Sequence, residues 1–277
     1  MRGARGLHQI AAVLVLGWAV AGCDIAVDGH GGLDLHFASG RAQDEWTRSY
    51  QLAPGGRFEL VNVNGKIEAE AAEGGALEIK AERVARGRSD EAAKELLGQI
   101  EMREEAGADR VRVEVRTPRV SFGGHEVRWT LRVPRGVHVD LRTVNGGVLL
   151  TGLDGEVRAR ATNGGIRGRS LVAASVDASV TNGGVDVEVA SLAESGSISL
   201  ESVNGGVGLA LPSDAKADVN AQCVNGGISV SGLELAVVGE QSRRRIEGRL
   251  NGGGGRVTLK TVNGGVRLSA LPPSAAR

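Results

Sequence analysis

"TVNGGV" occupies Thr143–Val148 and returns unchanged at Thr261–Val266, and its reading decides the fold. Near-copies start at Ala161 ("ATNGGI"), Val180 ("VTNGGV"), Ser202 ("SVNGGV") and Cys223 ("CVNGGI"), with an earlier "NVNGKI" from Asn62. Aligned on the asparagine, the copies centre on Asn64, Asn145, Asn163, Asn182, Asn204, Asn225 and Asn263. From Asn145 to Asn225 the spacings are 18, 19, 22 and 21 residues. A near-constant period of this size marks stacked supersecondary units.

The columns around the turn carry the secondary structure. Six residues before each asparagine stand Phe58, Val139, Val157, Val176, Ile198, Val219 and Val257. Three residues after it stand Ile67, Val148, Ile166, Val185, Val207, Ile228 and Val266. The positions four before and five after are likewise apolar or small, while those three before and four after are mostly polar or charged, so both flanks alternate with period two, one face inward and one outward. Each unit then reads strand, Asn-Gly-Gly, strand, and a second turn such as "TGLDGE" (Thr151–Glu156). Two-stranded units bury nothing alone and need stacking. A β-solenoid with like strands parallel and an array of type I′ hairpins both fit. The register of the columns favours the solenoid.

The turn residues have a conformational reason. Asparagine tolerates positive φ and glycine adopts it freely, so the chain can reverse sharply at that corner. Stacked asparagines are also able to form a side-chain ladder. The column two residues before the asparagine is small (Thr143, Ala161, Val180, Ser202, Cys223, Thr261). Cys223 is therefore read as a packed thiol, and no histidine follows His138 to activate it.

The N-terminus reads as a targeting segment. Arg2 and Arg5 precede the apolar run Ile10–Val20, which is too short to span a bilayer. The following "VAGC" (Val20–Cys23) resembles a bacterial lipobox, which implies cleavage after residue 22 and diacylation of Cys23. Asp24 then resembles the sorting residue that retains lipoproteins in the inner membrane, facing the periplasm rather than on the outer membrane. Cleavage would remove two of 33 basic residues, against 33 acidic, leaving a charge near −2. Such a balance points to no nucleic-acid partner. With Cys23 acylated, Cys223 has no intramolecular disulfide partner.

The remaining organisation follows composition. Residues 1–22 form the signal peptide, and residues 23–50, with His30 and His36, read as a flexible tether. Residues 51–136 read as an N-terminal β region. It holds strands around Leu77–Ala81, Arg110–Arg116 and His125–Val133, and one short helix capped at Ser89 and ending near Gly98. Trp129 is in phase with Val127, Leu131 and Val133 and belongs to the core. Residues 137–271 form the repeat array, interrupted by a loop at Leu233–Gly254 that carries Arg243–Arg245, and 272–277 form a tail.

Together, "PGG", "VPRGVHVDLRTVNGGV" and the successive "NGG" strands resemble a bacterial β-strand-repeat family of unknown function, often labelled "putative adhesin". That resemblance spans about Arg57 to Leu271. It implies a β-helical fold and an envelope location, and brings no catalytic residue, metal or cofactor.

The chemistry of the columns agrees. The position four after the asparagine (Glu68, Leu149, Arg167, Asp186, Gly208, Ser229, Arg267) cannot build repeated calcium cages. Asp186 and Glu188 face Arg167 and Arg169 of the preceding unit and read as ion pairs rather than an acid–base couple. The expected function is therefore non-enzymatic: a membrane-anchored envelope lipoprotein with a scaffold, sensor or adhesin-like role and a protein partner. The alternative is a polysaccharide-active enzyme or carbohydrate-binding module. Against it, the array beyond Trp129 holds no aromatic side chain for a sugar to stack on.

Overall fold

The structure is a computed structural model describing residues 40–117, 123–172, 174–239 and 241–271, and the backbone of strands Cys23–Val27 and Leu33–Phe37. The signal peptide and tail expected at 1–22 and 272–277 lie outside the described residues. Strands β1 (Cys23–Val27), β2 (Leu33–Phe37), β3 (Gly40–Gln51), β4 (Arg57–Val61), β5 (Ile67–Ala72) and β6 (Ala76–Gly87) precede helix α1 (Asp90–Gly98). Then come β7 (Glu101–Ala106), β8 (Arg110–Arg116), β9 (Gly124–Pro134), β10 (His138–Asn145), β11 (Val148–Thr151), β12 (Val157–Asn163) and β13 (Ile166–Leu171). The chain continues through β14 (Ser175–Asn182), β15 (Val185–Val189), β16 (Ser197–Asn204), β17 (Val207–Leu211), β18 (Ala217–Asn225) and β19 (Ile228–Ser231). It ends in β20 (Leu235–Val237), β21 (Arg245–Leu250), β22 (Gly255–Asn263) and β23 (Val266–Ala270).

The protein is all-β apart from α1 among the described residues, with two mixed sheets and no closed barrel. The strand entering each asparagine turn lies in an 11-stranded sheet and the strand leaving it in a 10-stranded sheet. Like strands pair in parallel: Val139 with Val157, Val157 with Val176, and Val176 with Ile198. These parallel partners exclude the hairpin array. The inward columns meet between the sheets in one core running from Phe58 and Ile67 to Val257 and Val266.

Spatial order departs from chain order at both ends. Strand β22 pairs in parallel with β16 on one side and β18 on the other, so the last unit of the chain fills the next-to-last place in the stack. The first asparagine unit, β4–β5, likewise sits between β8–β9 and β10–β11. The loop expected at Leu233–Gly254 instead carries β20 and β21, and β21 covers β18 in antiparallel register. The period breaks there because the chain passes the end of the stack and must return.

The tether expected over residues 23–50 is corrected over residues 40–50. Strand β3 pairs antiparallel with β6 along its length, from Gly40–Gly87 to Gln51–Ala76. Trp46, Arg48 and Tyr50 oppose the inward residues Ala81, Ile79 and Leu77. As an edge strand it keeps many polar side chains, and this hid its period. Strands β1 and β2 form a separate antiparallel two-stranded sheet. Helix α1 forms where expected, its N–H of Ala92 meeting Ser89 Oγ at 3.3 Å, with Ala93 and Leu96 buried.

Candidate interaction surface

All seven asparagines fall in one column, and their amides form a continuous ladder. Asn145, Asn163, Asn182 and Asn204 each donate Nδ2 to Oδ1 of the unit before, at 2.7, 2.9, 2.9 and 2.9 Å. In spatial order the ladder continues with Asn263 to Asn204 (2.7 Å) and Asn225 to Asn263 (2.8 Å). At the other end Asn64 Nδ2 lies 3.1 Å from His125 Nε2. Every amide points the same way, so His125 closes the ladder as acceptor when its proton sits on Nδ1. Burial holds the His125 pKa below its ordinary 6.5, which favours that neutral ring.

The turn works differently from the sequence expectation. The asparagines are not in the left-handed region. The glycine after five of them is, as at φ +153° in Gly146, +141° in Gly164 and +146° in Gly183, whereas Gly205 and Gly226 are not. Close stacking adds a second requirement, since a Cβ on Gly164 would sit 2.2 Å from the Gly146 carbonyl oxygen. A Cβ on the next glycine, Gly165, would meet its nearest atom at 3.3 Å. That milder contact explains why Lys66 is accepted at this position in the Asn64 unit. Inside the corner, Ser202 and Thr261 donate hydroxyls to the carbonyls of Gly183 and Gly205 at 2.8 and 2.7 Å. Cys223 occupies the same column and is buried.

Outward from this corner, the 11-stranded sheet carries a groove of about 740 Å³ running across the strands. Its floor is the residue before each asparagine except Asn64: Val144, Thr162, Thr181, Val203, Val262 and Val224 in spatial order. The four valines are 40–55% exposed, an apolar stripe facing solvent. Its rim is the residue three before each asparagine, with Arg142, Arg160, Ser179, Glu201, Lys260 and Gln222. Arg244 and Arg245 line the far end, where the Arg244 carbonyl accepts from the Cys223 N–H at 2.9 Å.

The rim charges are largely neutralised. Arg142 lies 2.8 Å from Asp140, which is almost fully buried, and Arg160 is 3.5 Å from Asp177. Lys260 meets Glu201 at 3.2 Å, and Arg245 pairs with Glu247. The hydrogen bond to Asp140 raises the Arg142 pKa further. On the opposite sheet Glu188 is held by Arg169 at 3.2 Å, and Asp186 lies beside Arg167 in register. Asp186 leans over Gly208, where a Cβ would come within 2.2 Å of its Oδ1.

Trp129 is buried and stacks edge-on with Trp46, with centroids 6.0 Å apart. Cys23 and Asp24 begin β1, paired with Phe37 and His36. Among the described residues no three His, Cys, Asp or Glu side chains form a metal-ligating group. Reading the sequence alone missed His125, whose place beside Asn64 follows from the pairing of β9 with β5. It also missed the groove, although the repeated Val or Thr before the asparagine was its signal.

Two parallel-rich sheets, an asparagine-stapled corner and a long outward groove define an all-β protein whose elaborated feature is surface rather than cavity. Residues 135–269 match the model of the Toastrack DUF4097 family. Strands β3 to β9 lie before the match, yet they build the same two sheets. Among solved structures, the fold is similar to a "putative cell adhesion protein" from Clostridium sporogenes, at 12% identity and TM-score 0.50. That alignment covers 83% of this chain and all of the other. A "putative adhesin" from Bacteroides fragilis is 9% identical over 82% of this chain and 97% of its own, with TM-score 0.32. At 12% identity the likeness to the first concerns the fold alone. No curated protein matches the chain.

Proposed function

We propose that this protein is a non-enzymatic, lipid-anchored cell-envelope protein whose β-solenoid of about 20-residue Asn-Gly-Gly repeats presents a groove to a protein partner. The observation carrying the reading is the groove itself. Its floor is β-branched and exposed while its flanking charges are mostly paired, which suits docking of a surface more than proton transfer. Cys23, at the end of the lipobox-like "VAGC", is the proposed acylation site and needs no cofactor. Two or more acyl chains anchor stably where one is marginal. Asp24 supports retention in the inner membrane, facing the periplasm.

The test is in-cell crosslinking from the groove, with a photo-reactive residue at Thr181 and a control on the opposite sheet at Leu149. A discrete adduct from Thr181 alone supports the reading, and equal labelling from both refutes it. Fractionation after Cys23→Ser tests the anchor, since the variant should leave the membranes. Outer-membrane recovery with cleavage by protease added to intact cells would refute the periplasmic placement. The alternative, carbohydrate binding, predicts retention on cell-wall glycans despite the missing aromatics, and a glycan screen decides it.

A further inference from the structure

The two sheets end unevenly at the far end of the stack. Beyond the last unit, β18–β19, the 11-stranded sheet continues with β21 and β20, whereas the 10-stranded sheet stops at β19. Sheet positions that are buried in every other unit are opened here. Ile228 and Val230 are only half-buried, while Ile166, Val185 and Val266 in the same column as Ile228 are covered. Leu233 and Leu235 are partly buried beside them, and Val237 is 41% exposed. The Ile228 N–H reaches away from β23 to the Arg243 carbonyl at 3.2 Å. By alternation the Val230 N–H points to the same side, away from β23. Strand β19 also lacks the charges that blunt most natural sheet edges.

A recess two strands deep thus stands beside an apolar edge, and among the described residues one two-stranded piece pairs only with itself. Strands β1 and β2 ("CDIAV" and "LDLHF") form such a hairpin. It cannot reach β19 of its own chain. It joins β3 through two residues, and β3 is the opposite edge of the 10-stranded sheet. Nine strand intervals at roughly 4.8 Å put that edge about 43 Å away. Charge points to the same match. Residues 23–39 carry Asp24, Asp28 and Asp34 and no Lys or Arg, while Arg243 and Arg244 beside Ile228 make no ion pair among the described residues. A symmetric β19–β19 contact is disfavoured, because its two-fold axis keeps both longer sheets on one side and drives β20 and β21 into their copies.

We infer that the β1–β2 hairpin of one copy adds to the β19 edge of a second copy, giving head-to-tail chains by strand addition. Sedimentation of the full chain extracted in mild detergent tests this, with Leu35→Asp altering the hairpin and Val230→Pro removing an edge donor. The expected result is a mass that rises with concentration past the dimer, and association at least about tenfold weaker in either variant. Ser231→Lys should act as Val230→Pro does, and its unchanged melting temperature guards against misfolding as the cause. Mixing the Leu35→Asp and Val230→Pro chains should restore one contact only, a 1:1 dimer. A monomer at all concentrations, or assembly untouched by both variants, would overturn the inference.

Discussion

The two ends of the stack solve one problem differently. At the N-terminal end the core is sealed by side chains. Trp46 meets Trp129 edge-on, and the Arg48 guanidinium lies 4.6 Å over the Trp46 ring. Arg48 then bridges to Glu104 of the other sheet at 3.1 Å, and Tyr50 donates to the same carboxylate. Burial and that carboxylate hold the Tyr50 hydroxyl far above its ordinary pKa. At the C-terminal end β21 covers one sheet, and the other stops with its core positions half-open. A stacked array needs ends that stop its propagation. Here one end is capped on both sheets and the other on one sheet, so the edge open to an added strand lies at the less covered end.

The sharpest way to break this comparison is to place one charge at the middle and at the open end. Val176 is 1% exposed and central, so Val176→Asp should cost about 3–5 kcal/mol or prevent folding, as a buried unpaired charge does. Val230→Asp, on the half-open edge, should cost about 1 kcal/mol or less. Thermal melting followed by circular dichroism reads both. Equal losses would mean that the last unit is as covered as the centre.

Removing cap side chains should give a smaller effect with the same asymmetry. Trp46→Ala takes away half-buried apolar area and an aromatic pair, and should cost about 2–3 kcal/mol. Leu235→Ala at the open end should cost about 1 kcal/mol. Urea titration separates the two, and a larger loss at Leu235 would reverse the assignment of the sealed end.

How far the sequence carried these features depends on which force set them. Val176, Ile198 and their columns were legible because burial on one face of a strand imposes a period of two. Ser89 and α1 were legible because capping is local. The tether was misread because Trp46 and Tyr50 pack from an edge strand whose outer residues stay polar. The position of β22 between β16 and β18 was not legible at all. Its asparagine column is as regular as the others, and nothing local records which neighbour a unit will meet. The turn was half legible: glycine was rightly required, but the close approach of stacked carbonyls, more than asparagine's own φ, enforces it.

The asparagine ladder should show a finer gradation. Asn163→Ala removes the middle of the run and leaves Asn145 and Asn182 each short of a partner, for about 1 kcal/mol. Asn225 ends the ladder and makes one such bond, so Asn225→Ala should cost about half as much. Both side chains are exposed, and water can replace what is lost. Melting temperatures of the two variants check the ratio, and a costlier Asn225 would mean that the ladder does not act as a run.

The smallest effect lies where the ladder ends at His125. Its folded-state pKa is lowered by burial, so the unfolded chain binds the proton more readily. Above the unfolded value, an ordinary 6.5, both states are neutral and His125 contributes no slope. As pH falls below that value the unfolded state gains protons first, and stability is lost until the folded ring is protonated as well. The doubly protonated ring also loses the Nε2 lone pair that accepts from Asn64, so the ladder opens at the sealed end. His125→Gln keeps an acceptor and removes the titration. Urea midpoints measured from pH 7.5 down to 5 should therefore decline more steeply in the parent protein than in His125→Gln. The same pair of curves with Asn64→Ala added should converge on the desolvation effect alone. Parallel curves for the parent and His125→Gln would show that His125 titrates alike folded and unfolded, and would detach it from the ladder.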